Sequence, residues 1–322
     1  MSDSTPLISI VIPSYNQAKY IAYNLDSILA QTYNNFEVIF IDDGSKDDTA
    51  EIVKAYTERD SRIKYFHQTN SERAVARSYG ISLSQGKYVC LVDSDDTWCE
   101  DKLEKQLKVM ESDKDIVLCY ASVNRIDPEN RPLKTASRQQ KGYSGEVLKK
   151  LLMRNFIPSV TPMIRKDVLE KVGEQVTEFI PYEDWDFWLR IAKHGKFFHI
   201  EEPLGNYRLH PQQSVQNVKA PRIEEVTLKV LDANTAALLE DSLSETSHWK
   251  KIINEAYSLA YLRIAYWYLV IADRRKARER LLISLKKNPS RLLDLRFYVL
   301  YCLSYLSRFN SSLVSKFLGS FH

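Results

Sequence analysis

Asp93-Ser94-Asp95 sets two carboxylates two positions apart directly after an apolar run, Lys87-Tyr88-Val89-Cys90-Leu91-Val92. At a strand end such a pair can approach a hard divalent cation and a bound phosphate together, since Mg²⁺ favours one or two carboxylates plus phosphate oxygens. Taken alone, the spacing more often describes a solvated acidic loop that caps a helix. Context favours the chemical reading, because a second apolar run, Phe36-Glu37-Val38-Ile39-Phe40-Ile41, also ends in carboxylates, at Asp42-Asp43-Gly44-Ser45. A third polar cluster, Pro13-Ser14-Tyr15-Asn16, closes Leu7-Ile8-Ser9-Ile10-Val11-Ile12.

These clusters need a frame that brings their ends together. The three runs, with Ile63-Lys64-Tyr65-Phe66, have the length and β-branched content of buried strands. Between them lie segments at helical spacing. Ile21, Leu25, Ile28 and Leu29 share one face, Ile52, Val53 and Tyr56 another, and residues 74–84 a third. Asp47-Asp48-Thr49 reads as the cap of the second helix. The βαβαβαβ order predicts an α/β fold with a mostly parallel sheet flanked by helices, whose ligands bind beyond the carboxyl ends of the strands.

Further along, residues 116–120 and 160–164 read as strands, and a helix opens at Tyr182-Glu183-Asp184 and runs toward His194-Gly195. From about Pro221 the pattern is wholly helical. Ala256, Ala260, Ile264, Ala265 and Tyr268, followed by Ala277, Leu281, Ser284 and Leu285, match one tetratricopeptide-type hairpin. A single unit equally describes an ordinary helical hairpin, because solenoids need three or more repeats. The expected division is a catalytic domain at 1–215 and an all-helical region at 216–322.

Composition narrows the classes. At 322 residues with 44% apolar and 27% charged content, the chain can bury a core. Its net charge of +3 is too balanced for a nucleic-acid coat, and no nucleic-acid partner is expected. The charge is uneven: from Asp273 to His322 there are eleven Lys or Arg against three Asp or Glu. A basic, aromatic-rich end (Arg274, Arg275, Lys276, Arg278 and Arg280, then Phe297, Tyr298, Tyr301 and Tyr305) is either an ordinary helical surface or a peripheral contact for anionic lipid. Cys90, Cys99, Cys119 and Cys302 lack CxxC spacing, so they are expected as small buried residues of a reducing compartment. No signal peptide and no run of 18 apolar residues is visible, so a cytoplasmic location, soluble or on the cytoplasmic membrane face, is expected.

Six motifs now stand in order: Val11-Ile12-Pro13-Ser14-Tyr15-Asn16, Ile41-Asp42-Asp43-Gly44-Ser45, Ala76-Arg77, Leu91-Val92-Asp93-Ser94-Asp95-Asp96, Glu183-Asp184-Trp185-Asp186 and Tyr207-Arg208-Leu209-His210. Together they resemble the family 2 glycosyltransferases of GT-A fold, over roughly residues 7 to 214. The resemblance implies a Rossmann-like sheet and inverting hexosyl transfer from a nucleotide-diphosphate sugar, a UDP-sugar first, to a glycan or lipid-linked acceptor. It matches Pro13 and Tyr15 to the loop against the nucleotide base, Asp43 to the carboxylate that accepts from the base, and Asp42 to its support or to the ribose. Arg77 matches the helix arginine near the nucleotide, Asp93 lies nearer the ribose, and Asp95 is the metal ligand for Mn²⁺ or Mg²⁺. Asp184 matches the general base, with Glu183 its competitor, and His210 a second metal or diphosphate contact. Trp185 and Arg208 are implied as acceptor-side or supporting residues. One departure is visible: Asn70-Ser71-Glu72-Arg73 lacks the glycine that the family often places before the helix arginine.

The chemistry asks for these parts independently. A nucleoside diphosphate leaving group needs a cation, and a hydroxyl nucleophile needs a carboxylate to take its proton. A helix start at Asp184 is expected to favour its ionised form. The rival from another class is a non-catalytic scaffold that keeps the nucleotide fold and binds partners through its helical end. A nucleotidyltransferase is disfavoured, since Pro13-Ser14-Tyr15-Asn16 is not the glycine-rich, lysine-bearing loop expected of one.

Overall fold

The computed structural model describes residues 5–133, 141–211, 213, 218–239 and 243–305. Two compact units divide the chain: Met1–Leu148 with Phe156–Gln213, and Lys149–Asn155 with Ser214–His322.

In the first unit the strands are β1 (Ile8–Ser14), β2 (Phe36–Asp42), β3 (Ile63–His67), β4 (Tyr88–Leu91), β5 (Thr97–Trp98), β6 (Ile116–Ile126), β7 (Met163–Arg165) and β8 (Lys196–Arg208). They form one sheet in the order β3-β2-β1-β4-β7-β6-β8-β5. β1 pairs in parallel with β2 and β4, β2 with β3, and β6 with β8, while β7 runs antiparallel to β4 and β6, and β5 to β8. The helices α1 (Ala18–Leu29), α2 (Thr49–Arg59) and α3 (Arg73–Leu83) supply the crossovers. Every residue of β1 and β2 is buried, which is why these strands read as unbroken apolar runs and not as alternation. Ile8, Ile10 and Ile12 are fully enclosed, each contributing about 1.5–3 kcal/mol.

Strand order reverses at β1: β2 and β3 extend to one side and β4 begins the other. In open α/β sheets ligands bind at such a reversal, outside the carboxyl ends of the strands, here those of β1 and β4. Gly44 adopts φ +78 just after β2, and a β-carbon there would sit 2.8 Å from the backbone nitrogen of Asn70, so the strand end is closed tightly by the loop after β3. Asp47 accepts from the backbone and hydroxyl of Thr49, but it also accepts from Ala18 N–H, tying α2 to α1 in place of the simple cap expected.

The observed α4 (Lys102–Ser112), α6 (Lys166–Val172) and α7 (Glu183–Ile191) complete this unit. β6 is far longer than expected, and β8, thirteen residues long, was not anticipated. Pro203 and Gly205 inside β8 read as breakers; the structure absorbs them with register shifts opposite Ala121, Ser122 and Val123.

The second unit contains α5 (Leu148–Met153, from Lys149 onward), α8 (Ala220–Thr235), α9 (Leu243–Val270), α10 (Arg274–Lys287) and α11 (Leu295–Leu303). Ala256, Ala260, Ala265, Ala277, Leu281 and Ser284 are buried, as the hairpin pattern requires. Asp273 caps α10 by accepting from Lys276 N–H. All four cysteines are free; Cys90 and Cys119 are buried, but Cys99 is half-buried and Cys302 exposed, contrary to expectation. Among the described residues no helix is long and apolar enough to cross a membrane.

Candidate active site

The first wall stands on the ends of β1 and β2. Ser14 pairs with Asp42 in the parallel ladder, and Asp43 N–H donates to the Ser14 carbonyl at 2.8 Å. Pro13 is buried in β1, whereas Tyr15 is 43% exposed, leaving an aromatic face at the rim. Asn16 and Lys46 stitch the two loops: Asn16 N–H donates to Ser45 Oγ, and Lys46 N–H to Asn16 Oδ1.

The two neighbouring carboxylates divide their work. Asp42 accepts from Tyr65 OH at 2.7 Å and from Ser45 N–H at 2.9 Å, so both its oxygens serve the loop. Asp43 accepts from Gln68 Nε2 at 2.7 Å and from Ser71 N–H at 2.9 Å, both through Oδ1. Its Oδ2 carries no hydrogen bond among the described residues. The segment then turns through Glu72, with φ +76 and ψ 149, a region nearly reserved for glycine that costs a side-chain-bearing residue about 1–3 kcal/mol. The left-handed backbone therefore exists where a glycine was missed, and a glutamate adopts it.

Helix α3 carries Arg73 and Arg77 one turn apart. Arg77 is buried and donates to Asp93 Oδ1 and, at 3.2 Å, to Glu183 Oε1. Arg73 donates to both Glu183 oxygens and, at 3.3 Å, to the Pro181 carbonyl. Ser159 donates to Asp93 Oδ2 at 3.4 Å. Burial opposes charge on Asp93, yet the guanidiniums of Arg77 and Arg73 outweigh it and hold the carboxyl below the usual range. Glu183 is fully enclosed and spent on two arginines.

Asp184, next along α7, is half-buried and accepts from Trp185 N–H at 2.7 Å. Its helix-start position was expected to favour the charged form. Burial and the neighbouring Glu183 charge dominate instead, against Arg73 and Arg77, and push the carboxyl up to about 6. A carboxylate raised this far holds a proton more firmly than an ordinary aspartate, while remaining ionised at neutral pH. Trp185 is buried, edge-on to Tyr182, and Trp188 is buried beside Phe187, so both belong to the packing of α7.

The second wall is the loop after β4. Asp95 Oδ2 lies 2.8 Å from His210 Nε2, and the imidazole is buried against the Tyr20 ring. Arg208, fully enclosed, braces this loop: its N–H donates to Asp96 Oδ1, and its Nε to the Asp95 carbonyl at 2.6 Å. Its guanidinium also lies over the rings of Tyr20 and Tyr23. Burial, then Asp95 and Asp93, push the Asp96 carboxyl well above the usual range. Asn24 Nδ2 donates to the carbonyls of Asp93 and Asp96, fixing the turn between the paired carboxylates.

A divalent cation fits this donor set. Asp95 and His210 offer one hard oxygen and one imidazole nitrogen in hydrogen-bond contact, and their positions at the ends of β4 and β8 face the same loop. Among the described residues no group of three or more His, Cys, Asp or Glu that could hold a metal ion converges, so a cation held here would need further oxygen ligands from the substrate diphosphate.

The model of glycosyl transferase family 2 matches residues 9–173. The chain is a member of glycosyl transferase family 2. This family 2 protein is 41% identical over 204 residues to an uncharacterized glycosyltransferase of Rickettsia bellii, which covers 63% of the chain and 29% of the relative. It is 32% identical over 212 residues to the putative teichuronic acid biosynthesis glycosyltransferase TuaG of Bacillus subtilis, covering 65% of the chain and 81% of the relative. The chain thus spans about a third of the length of the Rickettsia bellii and Rickettsia conorii relatives. Its fold is that of solved glycosyltransferases. The S. aureus TarS 1–349 structure with UDP-GlcNAc aligns at TM-score 0.67 and 18% identity, over 97% of this chain and 91% of that one. The mannosyltransferase PcManGT of Pyrobaculum calidifontis, solved with GDP-Man and Mn²⁺, aligns at TM-score 0.61 and 14% identity, over 99% and 88%.

The family match ends at residue 173, ahead of Glu183, Asp184, Arg208 and His210. Of the residues singled out by sequence, Arg77, Asp93 and Glu183 form one connected network, Asp95 and His210 a second contact, and Asp42 and Asp43 share a strand end. Arg73, Ser159, Gln68, Ser71, Asn24 and Asp96 were missed. Arg73 had a readable signal, four residues before Arg77 on the same helix face; Ser159 and Gln68 lie on loops that no local pattern marks.

Proposed function

We propose that this family 2 protein transfers a sugar, with inversion, from a nucleoside-diphosphate donor to the hydroxyl of a glycan or lipid-linked acceptor. The observation that carries this reading is the buried Arg77, which joins the Asp93 end of β4 to the Glu183-Asp184 start of α7. Tyr15 and Asp43 take the nucleotide base, with Asp42 and Pro13 holding their loop. Arg77 and Asp93 form the polar floor near the ribose and diphosphate. Asp184, ionised above about pH 6, takes the proton of the acceptor hydroxyl as that oxygen attacks the anomeric carbon. One in-line displacement with one base gives the opposite anomeric configuration. Asp95 and His210 would hold Mn²⁺ or Mg²⁺, which when bound would supply Lewis-acid stabilisation of the departing diphosphate. The donor is taken as a UDP-sugar; support comes from the UDP-GlcNAc bound by TarS, which shares the fold.

Release of nucleotide, measured across UDP-, GDP- and dTDP-sugars with an acceptor extract, tests the assignment; no release from any donor sinks it. For the base pocket, Asp43→Ala leaves a buried donor unpaired at about 1–3 kcal/mol. UDP affinity by calorimetry is expected to fall by roughly ten- to a hundredfold. Unchanged affinity removes Asp43 from the pocket.

A peripheral contact with the cytoplasmic membrane face belongs to the same reading, since a lipid-linked acceptor lies there. Much of the basic segment is engaged internally: Arg280 pairs with Glu224, Arg278 donates to the Ser304 carbonyl, and the buried Arg291 pairs with Glu255 and Asp294. Arg275 remains 88% exposed, and Leu293 and Leu295 are exposed by 89% and 64%. Burying two leucines is worth about 1.5–3 kcal/mol each. The full chain carrying Leu293→Glu and Leu295→Glu is therefore expected to bind anionic vesicles at least about a hundredfold more weakly. Equal binding by both chains leaves this face an ordinary surface.

A further inference from the structure

The left-handed backbone at Glu72 lies between two anchored groups. On one side Ser71 N–H is committed to Asp43 Oδ1, and the Asn70 backbone nitrogen is pressed so closely on Gly44 that a β-carbon there would sit 2.8 Å away. On the other side Arg73 opens α3 and is bound through its guanidinium to Glu183 and the Pro181 carbonyl. Only Glu72 remains to reconcile the two directions. Its side chain is exposed, while its carbonyl accepts from Val75 and Ala76 N–H as the first turn of α3 forms. Between these anchors the backbone takes φ +76.

We propose that Glu72 is a positioning residue for donor binding and acts through its backbone. Its positive φ aims Ser71 N–H at Asp43 Oδ1, and that bond, with Gln68, turns Oδ2 toward the nucleotide base. Returning residue 72 to negative φ swings Ser71 N–H away and frees the Asp43 carboxylate to rotate. This proposal rests on the assignment of Asp43 to base recognition.

The substitution pair Glu72→Gly and Glu72→Val separates backbone from side chain. Glycine accepts the left-handed region without strain, whereas a β-branched residue resists it most. Binding of UDP, GDP and ADP with Mn²⁺ is measured by calorimetry on the full chain, and whichever binds wild type serves as the probe. Glu72→Val is expected to weaken that probe by roughly tenfold, the scale of one hydrogen bond to a charged group. The loss should appear in donor KM more than in kcat. Glu72→Gly is expected to bind at least as tightly as wild type and to unfold at a higher temperature, so it reports even if the valine variant does not fold. Weakening by glycine equal to that by valine overturns the proposal, because the side chain would then be the active part. Wild-type affinity in a folded Glu72→Val overturns it too. Asp43→Ala, measured alongside, tells the two failures apart: if it binds normally, the pocket assignment has failed, and if it alone is weak, only the role of Glu72 has. No binding of any of the three nucleotides to wild type overturns both.

Discussion

Asp184→Asn is expected to collapse turnover by about 10²–10⁴-fold while leaving donor affinity near wild type. The amide keeps the shape of the carboxylate and can still accept from Trp185 N–H, but it cannot take a proton from the acceptor. The acid side of the pH profile gives an independent check. Burial and Glu183 raise the Asp184 carboxyl to about 6, so the base is ionised above that pH and protonated below it. kcat/KM in the wild type should fall below about pH 6, approaching tenfold per pH unit, and the residual activity of Asp184→Asn should lack that limb. Glu183→Gln behaves differently, because it takes a buried charge from Arg73 and Arg77. Breaking a buried pair costs about 3–5 kcal/mol, so this variant should lose thermal stability, which Asp184→Asn should not. Turnover surviving in Asp184→Asn but not in a folded Glu183→Gln moves the base by one residue. A parallel loss of donor affinity in Asp184→Asn would instead make it a pocket residue.

Removal of divalent metal is the other large effect. Excess chelator should abolish transfer, with Mn²⁺ or Mg²⁺ restoring it, and Asp95→Ala should lower turnover by at least about a hundredfold, since a Lewis-acid cation supplies several kcal/mol. Direct Mn²⁺ binding followed by electron paramagnetic resonance, with nucleotide present, checks the ligand set without relying on activity. Asp95→Ala should eliminate that signal and His210→Ala should weaken it. Full transfer in excess chelator would falsify the metal assignment of both residues.

How much of this was legible from residues alone depended on the range of the interaction. β1, β2 and β4 were readable because burial on both faces leaves a continuous apolar run that stops at a polar cluster. The same stops located Asp42, Asp43, Asp93 and Asp95. β8 was not readable, since Pro203 and Gly205 break the local pattern and only pairing with the long β6 tolerates the bulges. The upward shift of the Asp184 carboxyl was not readable for a related reason: a helix start is a local feature, but the desolvation and the Glu183 charge that prevail are set by packing. Likewise the division of labour between Asp42 and Asp43 turns on Tyr65 and Gln68, which come from another strand and its loop.

The family match ends at residue 173, between two groups of site residues. The strand ends that hold Asp43 and the Asp93–Asp95 pair lie before it. Asp184 and the β8 end with His210 lie after it, joined to the first group through the Arg73 and Arg77 bonds to Glu183 and through the Asp95–His210 contact. Relatives alike through the first stretch and divergent after it are expected to share a nucleotide preference and to differ in what they glycosylate. Chimeras cut near residue 173 test this, provided that β8 keeps its pairing with β6 and β5 and that Glu183 and His210, or close equivalents, travel with the graft.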